Sequence, residues 1–471
     1  MDLLTSLQAQ RRAFSEELPV SLAVRKDRLT RAIRMMVENA EDFCTALSDD
    51  FGHRSREQSM VTDVIGSINA LKHARQHVDR WSRPEKRKLR FPLGLLGARA
   101  RVDHQPKGVV GVIAPWNFPV QLTMAPLAGI LAAGNRAMVK SSEFTPRTAA
   151  LFEEISARYF DPAELLFISG GAEVGRAFSA LPFDHLIFTG ATAIGRHILH
   201  AAADNLTPVT LELGGKSPTI IGRSADLARA CERIATGKLM NAGQICLAPD
   251  YLLVPEDKED AVIRGLGSAV STLYPRLLDN PDYSAIINER HHVRLQSCLD
   301  DARAKGGEVI EVNPAGEDFA GSNGTKMPLY LVRNPTDDMA VMQEEIFGPV
   351  LPIRCYRQID EAIDFVNGRD RPLGLYYFGD DAGEEARVLE RTISGGVTVN
   401  DVFFHVSAED LPFGGIGPSG MGAYHGFDGF KTFSHAKAVY RQPKLDVMGL
   451  AGFKPPYGPR TAKTIARELK I

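Results

Sequence analysis

Five cysteines are scattered through the 471 residues: Cys44, Cys231, Cys246, Cys298 and Cys355. None forms a CxxC pair or joins a histidine cluster, which argues against a disulfide framework and a zinc site. The set fits a reducing compartment in which one thiol serves as a nucleophile. Cys246 stands in Asn241-Ala-Gly-Gln-Ile-Cys246-Leu-Ala-Pro249, just ahead of a strand expected near Tyr251. Taken alone, that setting is more often a buried structural thiol. A thiolate that adds to a carbonyl makes a tetrahedral carbon able to lose hydride to a redox cofactor. The resulting thioester opens to water with the help of a general base. Both tetrahedral species carry an oxyanion that needs donors already in place.

Three further segments change the weight of Cys246. They are Gly111-Val-Ile-Ala-Pro115-Trp116-Asn117-Phe118-Pro119, Leu211-Glu212-Leu213-Gly214-Gly215-Lys216-Ser217-Pro218, and Glu344-Glu345-Ile346-Phe347-Gly348-Pro349. With these segments in this order, the chain resembles the aldehyde dehydrogenase superfamily from its N-terminal helices to about residue 440. The resemblance implies that Cys246 is the nucleophile, Glu212 the general base and Asn117 the oxyanion-hole amide, paired with the Cys246 backbone N–H. An amide suits that role because it donates without holding a charge. Read without the resemblance, Glu212 is a salt-bridged strand-end glutamate and Asn117 a turn residue.

The same resemblance implies NAD as cofactor, with NADP left open. It assigns cofactor contacts to Trp116, Lys140, Glu143, Gly190, Ala191, Gly195, Leu213, Glu345 and Phe347. No GxGxxG follows the first expected strand. Instead Gly190-Ala-Thr-Ala-Ile-Gly195 follows the strand expected at 185–188, a pattern that alone reads as a simple strand–helix turn. Helix N-terminal N–H groups there can face a pyrophosphate. The family usually has a hydroxyl or amide residue where Ala191 stands, so the backbone must carry that contact. Lys140 and Glu143 match positions that hold the adenosine ribose, and a carboxylate near the 2′-hydroxyl favours NAD. Lys140 leaves NADP possible, and both residues also read as a helix-entry pair.

Toward the C-terminus, Asn400-Asp401-Val402 and the glycine-rich run from Leu411 to His435 resemble the class 3 group and, within it, bacterial coniferyl-aldehyde dehydrogenases. That implies aromatic or longer aliphatic aldehydes as substrates and a homodimer. His405, His425 and His435 invite a metal reading, but the chemistry needs none, and turn packing accounts for them. Two competing readings keep less of the sequence. A thiol hydrolase or acyltransferase without redox leaves Glu143 and Glu345 without a purpose, and a non-catalytic binding protein has no need of Cys246, Glu212 and Asn117 together.

These residues need a scaffold that brings distant segments together. From residue 108, β-branched runs alternate with helix-length amphipathic stretches: strands at 109–114, 137–140, 165–168, 185–188 and 209–213, helices at 122–133, 146–159, 172–180 and 192–203. This βαβα order predicts an α/β fold, a doubly wound parallel-sheet cofactor domain whose ligands bind beyond the strand carboxyl ends. A second α/β unit is expected, with strands near 219–221, 251–254, 350–355 and 397–400 and helices near 225–240, 258–273 and 289–305. The expected division is a dinucleotide-binding domain at 1–82 and 102–212, a catalytic domain at 213–400, and oligomerisation or bridging segments at 83–101 and 401–471. Within the last of these, the final thirty residues read as an extended tail ending in a short helix.

The first fifty residues read as helix, with an apolar stripe of Leu29, Ile33, Met36, Val37, Ala40, Cys44 and Leu47 and a cap at Gly52. Cys44 on that stripe reads as a small core residue. The basic cluster at 80–92 reads as a solvated connector, followed by a short hairpin at 93–101. Forty-two glycines suit many tight turns, and a net charge of -3 gives no case for a nucleic-acid partner. No apolar run reaches the roughly 20 residues that span a bilayer, and no signal-peptide core opens the chain, so a soluble cytoplasmic protein is expected.

Overall fold

The computed structural model describes residues 2–91, 93–322 and 324–470. Helices Leu3–Glu17, Leu22–Glu38, Ala40–Phe51 and Gly66–Trp81 form the N-terminal layer, with a π-turn at Met60–Ile65 before the last of them. The expected stripe is buried at Leu29, Ile33, Met36, Cys44 and Leu47, but Val37 is 53% exposed. Its helix ends at Glu38, so the apolar period restarts on a new axis at Ala40. Gly52 caps that second helix with φ of 72°.

The described residues form three sheets. β1 (Glu85–Arg87) pairs antiparallel with β2 (Arg99–Pro106). The basic run is therefore not merely a connector: it supplies an edge strand, and 93–98 is the turn of a wider hairpin than expected.

The cofactor-type sheet contains β3 (Val109–Ile113), β4 (Arg136–Lys140), β5 (Leu165–Ile168), β6 (His185–Thr189) and β7 (Val209–Glu212), joined by helices Gln121–Ala133, Pro146–Ser156, Ala172–Ser179 and Thr192–Ala203. These five strands run parallel in the order β7-β6-β3-β4-β5. The chain winds outward from β3 through β5, then crosses back to β6 on the other flank. The loops leaving β3 and β6 diverge at that reversal, which opens a crevice beyond the strand ends. Helix Gln121–Ala133 is apolar on every face and buried from Leu122 onward, wedged between the sheet and the N-terminal helices.

The second sheet has seven strands: β8 (Pro218–Ile221), β9 (Tyr251–Pro255), β10 (Glu308–Val312), β11 (Leu329–Arg333), β12 (Val350–Tyr356), β13 (Gly374–Phe378) and β14 (Gly396–Val399). Their order is β10-β11-β12-β9-β8-β13-β14, parallel except for the edge strand β10. Finally β15 (Gly420–Met421) adds to the edge of β7, and β16 (Ser434–Arg441) closes the small sheet against β2. The stretch expected as bridging segment and tail thus also extends the first sheet, and helices Val447–Leu450 and Pro459–Glu468 end it.

Candidate active site

β7 delivers Glu212 at its carboxyl end, where the backbone is held from both sides. Gly190 N–H donates to the Glu212 carbonyl at 3.0 Å, and Leu213 N–H donates to Ser419 O at 3.1 Å. Gly420 pairs directly opposite Glu212 at φ of 143°, a conformation open to glycine and poor for other residues. The Glu212 side chain is 1% exposed, and neither carboxyl oxygen has a partner among the described residues. Burial alone pushes its pKa well above the usual carboxyl range. Such an orphaned acid is costly to the fold and calls for a functional reason.

Cys246 arrives by a tight reversal. Helix Leu227–Leu239 ends, and Asn241, Ala242 and Gly243 all take positive φ, 49°, 51° and 76°. Strain of this kind persists only where surrounding bonds enforce it. Gln244 acts as the splint: its Oε1 accepts Ile287 N–H at 2.9 Å and its Nε2 donates to Ala285 O at 3.0 Å. The Gln244 carbonyl accepts from Asn117 Nδ2 at 3.2 Å and from Asn241 Nδ2 at 3.2 Å. Asn117, on the loop after β3, is thereby tied to the chain two residues before the sulfur. Cys246 is half-buried. Burial, then the carboxylates of Glu212 and Glu345, push the thiol pKa well up, while the N–H groups of Cys246 and Leu247 pull it down. The Glu212 carboxylate thus acts on the Cys246 thiol across the fold, and the Asn117 amide is bonded to the chain beside that thiol.

Glu345 acts on the same thiol. Burial and the Asp250 carboxylate push its pKa up to about 8, and its Oε1 has no partner among the described residues. A Cβ on Gly214 would overlap the Glu345 carboxylate, so Gly214 is what allows this approach. Residues 344–347 are fastened by groups the sequence reading passed over. Lys216 Nζ donates to Val341 O at 2.7 Å and Glu344 O at 2.8 Å and pairs with Asp250. Asp250 Oδ1 accepts Ile346 N–H at 2.9 Å, and Arg294 donates to the carbonyls of Glu345 and Ile346. Lys216 and Asp250 lie in or beside the quoted motifs, which was a usable signal; Arg294, on helix Glu289–Ala304, had none. Phe347, at φ of 49°, sets its ring 5.3 Å from that of Trp116 in a T-shaped contact.

The remaining expected cofactor residues line the sheet's carboxyl edge. Ala191 precedes helix Thr192–Ala203 with no side-chain cap, and Leu213 lies over Gly195, where a Cβ would come within 2.6 Å of it. Lys140, at the end of β4, is 3% exposed; its Nζ donates to Ser141 O at 2.7 Å and reaches Glu143 Oε2 at 3.5 Å. Among the described residues, no hydrogen bond links this pair to the Cys246–Glu212 group. An uncapped helix start suits a pyrophosphate, and the open Glu143 carboxylate and the orphaned Glu345 oxygen suit sugar hydroxyls. The donor set fits a nicotinamide dinucleotide.

The sequence profile of the aldehyde dehydrogenase family matches residues 2–439. The chain belongs to the aldehyde dehydrogenase family. Its reaction is the NAD(P)-dependent oxidation of an aldehyde. This aldehyde dehydrogenase is 56% identical over 465 residues to a probable coniferyl aldehyde dehydrogenase of Caulobacter vibrioides, covering 98% of this chain and 96% of that one. The solved substrate-bound AldH of Staphylococcus aureus superposes with a TM-score of 0.92 at 35% identity, with both chains fully covered. The Mycobacterium tuberculosis aldehyde dehydrogenase complexed with NAD+ superposes at 0.83 with 27% identity, covering 94% of this chain and 90% of that one.

Two more buried polar groups in the dehydrogenase were not singled out from the sequence, although Tyr424 stands in the glycine-rich run. Lys238 is wholly buried with its amine unpartnered among the described residues, and burial lowers its pKa to about 8. The Tyr424 hydroxyl is likewise buried and unpartnered, within the field of Glu212 and Cys246. His405 shares a hydrogen bond with Thr398 Oγ1 at 2.8 Å, His425 packs against Phe413 and Tyr424, and His435 lies on β16. No helix among the described residues is long and apolar enough to cross a membrane.

Proposed function

We propose that this dehydrogenase oxidises coniferyl-type aromatic aldehydes to their acids with NAD, through a thioester on Cys246. The observation that carries the mechanism is the meeting of the half-buried thiol, the Asn117 amide and the unpaired Glu212 carboxyl. The thiol starts neutral, because burial and two carboxylates disfavour its anion. Glu212, once ionised, is a stronger base than an exposed carboxylate and takes the thiol proton. The sulfur forms a bond to the aldehyde carbon, and the carbonyl pair moves onto oxygen. Asn117 Nδ2 has a second N–H beyond the one given to Gln244, and with the Cys246 N–H it holds that oxyanion. A nicotinamide held beside Glu345 and Phe347 would supply the hydride acceptor, and loss of hydride from the tetrahedral carbon leaves a thioester. After passing its proton to solvent, Glu212 draws a proton from water as the water oxygen attacks the thioester carbon. Collapse of this second adduct breaks the carbon–sulfur bond and releases the acid and the thiolate.

Glu143 beside the ribose position supports NAD over NADP, since a 2′-phosphate would meet its charge and the Lys140 amine is already engaged. Trp116, Gly190, Ala191, Gly195, Leu213, Glu345 and Phe347 complete the cofactor contacts. The division is a dinucleotide-binding domain at 1–82 and 102–212, a catalytic domain at 213–400, and oligomerisation or bridging segments with the C-terminal tail at 83–101 and 401–471. The exposed small sheet supports a homodimer, and five free cysteines support a reducing cytoplasm. The test is a panel of aromatic and aliphatic aldehydes with NAD and with NADP, followed by reduced-nicotinamide absorbance. The expected result is the highest kcat/KM for coniferyl aldehyde with NAD. A preference for short aliphatic aldehydes, or for NADP, overturns the corresponding part.

A further inference from the structure

We propose that Arg54 and Asp63, in the N-terminal helical layer, are positioning residues for the Asn117 oxyanion donor, so that an ion pair outside the reaction centre sets the rate of its chemistry. The proposal rests on the role given above to Asn117. Both side chains are 0% exposed, with Arg54 Nη2 2.6 Å from Asp63 Oδ2. Apart from the Thr62 hydroxyl, which donates to Asp63 Oδ2 at 3.3 Å, their remaining side-chain bonds go to the catalytic loop. Arg54 Nη1 donates to the Asn117 backbone carbonyl at 2.9 Å. Asp63 Oδ1 accepts the N–H groups of Val120 at 3.1 Å and Gln121 at 3.2 Å, where helix Gln121–Ala133 begins.

The pair therefore grips the loop at two points, the Asn117 carbonyl and the opening turn of the buried helix three and four residues further on. The Arg54 guanidinium also lies 4.9 Å from the ring centres of Phe51 and Phe118, which fix its plane. Asn241, at the reversal before Cys246, donates its Nδ2 to the same Asn117 carbonyl at 3.1 Å. Two donors thus hold the Asn117 backbone while its side-chain amide points to Gln244 O. Asp63 comes from the π-turn Met60–Ile65, a widened turn of the kind found at functional sites.

Stability alone does not call for this arrangement, because well-packed apolar residues commonly replace a buried ion pair with no loss. Two buried charges that make three further bonds to the backbone of one catalytic loop define where that loop sits. The Cys246 N–H and the Asn117 amide must share one oxygen, and an error of about 1 Å in such a placement costs on the order of a hundredfold in rate.

The experiment is a double-mutant cycle on the full-length protein: Arg54→Lys, Asn117→Ala and their combination, measured for kcat/KM and for NAD affinity by fluorescence titration. Arg54→Lys keeps the charge but loses the forked geometry. The expected result is a 10- to 100-fold fall in kcat/KM (about the range for misplacement), with NAD affinity unchanged within about twofold. In the Asn117→Ala background the same substitution should cost less than about threefold, because the donor it positions is gone. Equal factors in both backgrounds, or no loss from Arg54→Lys while Asn117→Ala alone slows turnover, overturn the positioning role. A near-normal rate for Asn117→Ala alone shows instead that the reading of Asn117 fails, and the proposal with it. Should Arg54→Lys not accumulate folded, Asp63→Asn takes its place in the cycle, since it retains an acceptor for Val120 and Gln121 in the same volume.

Discussion

Replacing Glu212 with glutamine removes a proton acceptor while keeping the shape of the side chain. A positioned general base contributes about 10²–10⁴-fold, equivalent to roughly 2.7–5.4 kcal/mol in the barrier it serves. Thioester hydrolysis should slow by that range. The burst of NADH from the first turnover should persist, though initiated more slowly, because the thiol has lost its nearby acceptor. Stability should move the other way. The folded chain holds Glu212 protonated in a window where the unfolded chain has ionised it. Below the ordinary glutamate pKa of about 4.3 the two states bind the proton equally, and stability does not change with pH on this account. As pH rises above that value the unfolded state binds fewer protons, so stability falls by up to about 1.4 kcal/mol per pH unit until the folded carboxyl itself ionises. Glutamine has no such titration. Glu212→Gln should therefore gain stability over the parent between pH 5 and pH 8. Urea titrations at both pH values and stopped-flow absorbance in the presence of aldehyde and NAD measure the two effects. Unchanged deacylation, or a stability difference independent of pH, would refute the reasoning.

Cys246→Ala should abolish NADH formation while leaving NAD binding intact; substantial turnover in a rapid-mixing assay would remove the thiol from the mechanism. Gly214→Ala should force the Glu345 carboxylate away from its place, because the added methyl overlaps it. Overpacking of this sort typically costs about 1–3 kcal/mol. It should appear as a raised KM for NAD with a smaller change in the aldehyde KM, and equal effects on both would show that Glu345 does not serve the cofactor side.

The βαβα half was legible because each parallel strand carries its own β-branched run and each crossover its own helical period. Strand ends at Lys140, Thr189 and Glu212 lie within a residue or so of the expected ones. β13 was not legible: Gly374 to Phe378 is buried throughout and opens on a glycine, with no alternation to mark it. β10 was missed for the opposite reason, since its exposed glutamates read as surface chain. In the site, Cys246, Glu212 and Asn117 stood out because each sits in a recognisable local string. Arg54, Asp63, Arg294 and Lys238 did not, because their meaning arises only from contacts across tens or hundreds of residues. A charged residue on a helix reads as solvated until the fold shows it enclosed.

The pairing of Gly420 with Glu212 has a consequence for how the protein comes into being. One wall around the base is contributed by a strand that leaves the ribosome more than two hundred residues after the base itself. Until that late strand pairs, the edge of β7 that ends at Glu212 stands open. The surroundings of the proposed base are thus completed only when residues 420–421 have folded back onto it.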